Sequence, residues 1–136
     1  MASTLKLEIV TPEGVTYSEH VEMVTLPGSE GEMGIYPNHV PLMTQVAAGE
    51  VSARRNGRDE FLAVGDGFVE ITGERVAVLT DMAIKAENID AAKAEEARRR
   101  AEARLAEKLD DEEAALVSAA LAHSLAQLKV KRRTHS

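Results

Sequence analysis

Every glycine, proline and aromatic residue of this chain falls within its first 73 residues. The nine Gly end at Gly73, the four Pro end at Pro41, and the aromatics are Tyr17, Tyr36, Phe61 and Phe68. Gly and Pro punctuate a chain with turns. A chain of 136 residues that places them all early has a turn-rich first part and then a long stretch with nothing to stop a helix. The boundary is expected at about residues 84–88, with a first unit over 1–86 and a second over 87–136. Charge divides there too. Residues 1–87 hold fourteen acids and six bases, net −8, whereas the remainder holds nine acids and ten bases, net +1.

The first part reads as short strands. Leu5, Leu7 and Ile9 alternate with Lys6 and Glu8, the period of a half-buried strand. Val21–Leu26, Val51–Arg54, Glu60–Val64, Phe68–Ile71 and Val76–Leu79 follow. Turn signals separate the runs: Pro12-Glu13-Gly14, Asn56-Gly57, Asp66-Gly67 and Thr72-Gly73. Asn-Gly between strands is a strong hairpin signal. About ten short strands with regular turns predict a sandwich or barrel.

The second part reads as two helices. No Gly or Pro interrupts Asn88 to about Lys108, and Ala94, Ala97, Ala101 and Leu105 recur three or four apart. Asn88 is the expected N-cap. Asp110 followed by Glu113 resembles a capping box for the second helix, along which Val117, Leu121, Ser124 and Leu128 continue the stripe. The short break predicts an antiparallel hairpin. The fold class is therefore α+β, a β-sandwich followed by a two-helix hairpin. Alanine buries little apolar area but favours helix. Such helices either form a plain small-residue pair or detach without melting, as a conformational switch does.

Composition excludes several function classes. With no Cys there is no disulfide framework, thiol nucleophile or Cys-zinc site. Aromatics are 3% with no Trp, and net charge is −7, a poor basis for nucleic-acid binding. No apolar run approaches the ~18 residues of a membrane span. No basic-then-apolar leader opens the chain, so a soluble intracellular protein is expected.

The most distinctive segment is Pro27–Leu42, PGSEGEMGIYPNHVPL. Gly28, Gly31 and Gly34 recur every third residue, but no Gly-Lys-Ser/Thr follows, and Glu30 and Glu32 oppose an anion. A tight connection with positive-φ positions is the expected reading. Ser29 and His39 lack a nucleophile elbow and an orienting acid. His20, His39, His123 and His135 lack ligand spacing, so neither a catalytic dyad nor a metal site is expected. In the first helix Lys93, Arg100 and Arg104 share a face, yet Glu96→Arg100 is an i,i+4 pair typical of a solvated surface. The run Lys129, Lys131, Arg132 and Arg133 suits either partner contact or simple stabilisation of a helix C-terminus.

Taken together these motifs resemble the epsilon-subunit family of bacterial F-type ATP synthases. PGSEGEMGIYPNHVPL is similar to that family's Gly-x-x-Gly-x-x-Gly run followed by Tyr/Leu-Pro and His-x-Pro-Leu. Gly65-Asp66-Gly67-Phe68-Val69-Glu70 resembles its Gly-Gly-Phe-Val-Glu strand, with Asp66 replacing the commoner Gly. Ile89-Asp90-Ala91-Ala92-Lys93-Ala94 and Leu125–Val130 resemble its two helices. The resemblance spans essentially the whole chain.

It implies a non-catalytic rotor subunit that binds gamma, sits on the c-ring, and inhibits ATP hydrolysis when its helices extend into the catalytic head. Glu32, Met33 and Gly34 match positions that face the polar loops of the c-ring, and His39 and Thr44 match positions near gamma. Lys129, Lys131, Arg132 and Arg133 would meet the alpha and beta subunits in the extended state. The resemblance also implies a location at the cytoplasmic face of the bacterial inner membrane. Some members bind ATP through Ile/Leu-Asp-x-x-Arg-Ala. Here Ile89, Asp90 and Ala94 match, while Lys93 replaces the Arg and lacks its bidentate fork. Weak ATP binding, as in a nucleotide-sensing module, is the alternative expectation; no other cofactor is implied.

Overall fold

Leu5, Leu7 and Ile9 are fully buried, and the strand they define lies in the middle of a sheet. The computed structural model describes residues 3–134. Its strands are β1 (Leu5–Thr11), β2 (Gly14–Val21), β3 (Met23–Gly28), β4 (Gly31–Ile35), β5 (Leu42–Val46), β6 (Gly49–Arg55), β7 (Arg58–Val64), β8 (Gly67–Ile71), β9 (Arg75–Thr80) and β10 (Ala83–Lys85). They form two five-stranded sheets, ordered β2-β1-β9-β8-β5 and β10-β7-β6-β3-β4. All pairings are antiparallel except β1 with β9. Between the sheets lies one apolar core that includes Leu5, Leu7, Ile9, Leu26, Ile35, Leu62 and Ile71. The expected sandwich is present.

Turn chemistry explains the connections. Asn56 (φ 55°) and Gly57 (φ 75°) both adopt left-handed backbone, the signature of a two-residue hairpin turn, and they join β6 to β7 with Arg55 opposite Arg58. The run Val21–Leu26 is not one strand. Val21 ends β2 in the first sheet and Met23 begins β3 in the second. At the crossing, Glu22 donates its N–H to the Arg54 carbonyl oxygen (2.8 Å) and accepts the Gly57 N–H on its carboxylate (3.1 Å). An apolar run conceals such a switch because both flanking strands point into one core.

The helices are α1 (Ala91–Leu105) and α2 (Asp111–Thr134). The expected cap at Asn88 is replaced by Asp90, whose carboxylate accepts the Lys93 N–H (3.1 Å). Ala86–Asn88 form a short 3-10 turn, and Ile89 is extended and buried. Holding Ile89 in the packing delays the helix to the next capping residue. Asp110 caps α2 as expected, accepting the Glu113 N–H at 2.8 Å. Along α1, Arg98 pairs with Glu95 and Glu102, and Arg99 with Glu95. Among the described residues Glu96 and Arg100 form no ion pair, so the solvated charge ladder runs one register away from the expected one.

Among the described residues, the helices cover one of the two sheets. Ala126 and Val130 of α2 pack with Ala63 and Ile89, flanked by Phe61, Met82 and Ile84. The contacts of α2 with the sandwich are chiefly to β6, β7 and the 3-10 turn, whereas α1 packs chiefly on α2. In α1 the buried side chains are Ala94 and Ala101. The helical arm thus rests on the β10-β7-β6-β3-β4 sheet through a small apolar seat.

Candidate functional site

The first part of the Gly-rich segment, as far as Ile35, closes as a tight β-hairpin. Gly28 faces Gly31, Pro27 faces Glu32, Leu26 faces Met33 and Thr25 faces Gly34. Of its three glycines only Gly31 (φ 123°) has positive φ. At Gly28 the constraint is space, since an added Cβ would sit 2.7 Å from the Gly31 carbonyl oxygen. Glu32 and Gly34 are exposed, and Met33 is half-buried against the core. This trio lies on β4, an edge strand of its sheet, with its outer backbone groups open to a partner.

His39 and Thr44 lie on the other sheet's side of the molecule. Thr44 is half-buried on β5, the edge of the first sheet, opposite Val69. His39 precedes that strand, and its Nδ1 donates to the Val40 carbonyl oxygen (2.6 Å). Among the described residues no hydrogen bond joins Ser29 to His39. Nor does any group of three or more His, Asp or Glu side chains assemble in metal-holding geometry there. His135 lies outside the described residues.

The outer face of the first sheet carries an apolar row. Register places Phe68 beside Leu79, Leu79 beside Val10, and Val10 beside Val15. Phe68, Leu79 and Val15 are 55%, 59% and 61% exposed. Tyr36, Val40, Leu42 and Met43 extend apolar exposure around the β5 edge. Large contiguous exposed apolar patches mark interaction sites. Sequence periodicity had a signal for this surface: β8 and β9 place Phe68 and Leu79 at outward positions of alternating strands, where a solvated sheet carries polar residues.

The basic run at the end of α2 folds back onto the sandwich. Arg133 pairs with Glu50 (2.9 Å), and its guanidinium stands 5.6 Å from the centre of the Phe61 ring, within cation–π range. Lys131 donates to the Ala86 carbonyl oxygen (3.4 Å). Lys129 and Arg132 are exposed. A cleft of about 240 Å³ brings Lys129 and Arg133 together with Glu32, Glu50 and Asp59. The helix end and the Glu32 strand therefore share one polar groove. Sequence reasoning missed Glu50 as the partner of Arg133, since a pair so far apart in the chain has no local signature.

At the start of the hairpin the four motif residues do different work. Ile89 and Ala94 are buried in packing, Asp90 caps α1, and Lys93 is exposed. Beside them, a cleft of about 510 Å³ between the helices is lined by Glu95, Arg98, Leu125, Leu128, Lys131 and Arg132, among others. Lys93 is not among its lining residues. Hydrogen bonding from Arg98 lowers the Glu95 pKa below its ordinary value, and Glu95 in turn raises that of Arg98. On the far edge of the sandwich Tyr17 donates to Glu60 (2.7 Å). Burial, and then that bond, raise its pKa, which keeps the phenol neutral as a structural tie.

Comparison with known proteins agrees with this two-part geometry. The family model described as "ATP synthase, Delta/Epsilon chain, beta-sandwich domain" matches residues 4–86, and "ATP synthase, Delta/Epsilon chain, long alpha-helix domain" matches residues 87–132. An ATP synthase epsilon chain of Dehalococcoides mccartyi is 48% identical over 134 residues, 96% of each chain. That of Laribacter hongkongensis is 39% identical over 139 residues, covering 98% of this chain and 99% of the relative. In a cryo-EM structure of Euglena gracilis mitochondrial ATP synthase (OSCP/F1/c-ring), one chain shares the fold with TM-score 0.76 at 23% identity, covering 93% of this chain and 79% of that one. A chain in the central stalk and c-ring of Tetrahymena thermophila mitochondrial ATP synthase shares it with TM-score 0.62 at 11% identity and 98% coverage of both. With both the sandwich and the helical arm matched, and with relatives that align nearly end to end, the chain belongs to the ATP synthase epsilon-chain family.

Proposed function

We propose that this epsilon-family chain acts as a non-catalytic rotor subunit of an F-type ATP synthase and inhibits ATP hydrolysis by extending its helical arm. The observation that carries the reading is the one-sided seating of that arm. α2 touches one sheet through a small seat, while the other sheet presents Phe68, Leu79 and Val15 outward. A subunit held in a complex by its sandwich can release its arm without leaving the complex.

In this reading the first sheet and its β5 edge, with His39 and Thr44, face the gamma subunit. Glu32, Met33 and Gly34 on the β4 edge meet the polar loops of the c-ring, where a carboxylate suits basic loop residues and Gly34 allows close backbone approach. The 15 residues of α1 and 24 of α2 rise about 22 Å and 36 Å. Strung out, they carry Lys129, Lys131, Arg132 and Arg133 far from the sandwich, towards the alpha and beta subunits. Assembly in this way would hold the chain at the cytoplasmic face of the bacterial inner membrane. No helix among the described residues is long and apolar enough to cross a membrane.

The test compares ATP hydrolysis by the catalytic head with gamma in three states: alone, with the full chain, and with a chain ending at Ala86. The main core draws only on residues up to Ala83, so the truncated chain keeps it. Inhibition by the full chain that is lost on truncation is expected. Equal rates in all three, with gamma binding verified, overturn inhibition and leave a coupling role.

A second reading, weak ATP binding at the hairpin, is favoured by the cleft that gathers Arg98, Lys131 and Arg132. It expects millimolar ATP to shift the amide resonances of Ile89–Ala94, and unshifted resonances remove it.

A further inference from the structure

Outside the apolar seat, Gln127 Nε2 donates to Met82 Sδ (3.9 Å), and charged or titratable side chains of α2 also reach the sandwich. Arg133 meets Glu50, Lys131 meets the Ala86 carbonyl, and His123 Nε2 stands 3.2 Å from Asp81 Oδ1. Arginine and lysine as residue types stay charged across the physiological range. Histidine changes charge between about pH 5 and 8, so of these contacts only that of His123 can alternate between an ion pair and a neutral one.

The setting of His123 is built for that contact. Asp81 occupies the turn between β9 and β10, and the pair lies over Gly65, in the turn between β7 and β8. A Cβ on Gly65 would fall 2.0 Å from Asp81 Oδ1 and 2.7 Å from His123 Nε2. Thus the missing side chain at Gly65 leaves the notch in which imidazole and carboxylate meet. Among the described residues, neither His123 nor Asp81 has a second ion pair. On α2 the residues one turn away are Ala119, Ala120, Ala126 and Gln127. Asp66, in the Gly65 turn, has a carboxylate oxygen that accepts the Ala48 N–H (2.9 Å). On α1, Arg98 pairs with both Glu95 and Glu102.

We infer that His123 and Asp81 form a pH-sensitive latch that holds the helical arm on the sandwich when the imidazole is protonated and loosens it when the proton leaves. The inference rests on the reading above in one respect: the arm must be able to leave its seat. The direction follows from charge. Protonation favours the docked arm through the carboxylate, and that contribution is lost as rising pH removes the proton. Alkalinisation around the chain therefore shifts the arm towards release. The side chains are partly exposed, at 27% and 53%, so the effect is modest, about a two- to fivefold change in the docked-to-released ratio.

The chain lacks Cys, which allows two dyes to be attached at Glu13→Cys and Ser118→Cys, both exposed positions. Energy transfer in the full chain then reads the docked fraction between pH 5.5 and 8. The same titration in a Val130→Ala background, where a smaller side chain weakens the seat, brings the released form into measurable range. The expected result is a two- to fivefold fall in the docked-to-released ratio that disappears in His123→Gln and in Asp81→Asn. His20 and His39 are present in all these chains, so they cannot account for the difference. A flat profile in the Val130→Ala background, or the same slope with His123→Gln, overturns the latch. The head assay separates the two ideas. A pH-dependent arm without inhibition overturns the inhibitory reading alone, and inhibition with a pH-independent arm overturns the latch alone.

Discussion

Two glycines in neighbouring turns show how different the demands on one residue type are. Gly57 is needed for its backbone angle, φ 75°, and an added Cβ there would meet nothing within 4 Å. Gly67 has no positive φ, but a Cβ on it would lie 1.9 Å from the Leu79 carbonyl oxygen and 2.9 Å from the Leu79 carbonyl carbon. These are backbone atoms of the paired strand β9 and cannot rotate away. Gly67→Ala is therefore expected to lower the unfolding free energy by about 2–3 kcal/mol, read from thermal or urea unfolding of the full chain. An unchanged midpoint would mean that β8 and β9 separate there at little cost. The Asp-Gly dipeptide at this turn was legible as punctuation. Its close approach to β9 was not, because local sequence carries no information on which strand lies alongside.

At the scale of elements, helix ends divide what local chemistry decides from what packing decides. The α2 cap was legible from Asp110 and Glu113 because the bond closes within one turn. The α1 start was not, because Ile89 is drawn under α2 and only tertiary contact shows that. Both helices lean on carboxylates whose pKa values lie below their ordinary ones. Hydrogen bonding from Arg98 is the main cause for Glu95, and the Glu113 backbone N–H for Asp110. A depressed folded-state pKa contributes stability above the ordinary carboxylate range and loses it as pH falls below about 4. Far-UV circular dichroism should then show helix signal declining below pH 4, while the tertiary signal of the buried Tyr17 persists to lower pH. Simultaneous loss of both would mean that arm and sandwich unfold as one unit. The seat of the arm also had a sequence trace. Phe61-Leu62-Ala63-Val64 does not alternate, as expected of a strand covered on both faces.

For the whole molecule, the sequence reading reached the architecture and not the contacts between its parts. The composition shift that follows the turn-rich first part separated strands from helices, and the sandwich followed by a hairpin is present. Which sheet the hairpin covers depends on Ala63, Ile84, Ala126 and Val130 meeting, residues too small and too far apart to announce one another. The same holds for Arg133 with Glu50 and His123 with Asp81. Such long-range pairs decide the docked state of the arm. The residues carried over by resemblance fall on two separate edges, Glu32, Met33 and Gly34 on β4 and Thr44 on β5.

The lone parallel pairing has a consequence for how such a chain comes into being. β1 is flanked by β2 and β9, and Lys6 lies beside Arg75. During synthesis the first strand can form a hairpin with β2 at once, but its other edge stays open until β9 has been made. Pairings this remote in sequence are slow to close. The sandwich is therefore completed just before the helical segment emerges, and the arm is added last to a body that is already whole. A nascent chain halted before β9 would present an unpaired central strand, the kind of edge that chaperones cover and that aggregates when left alone.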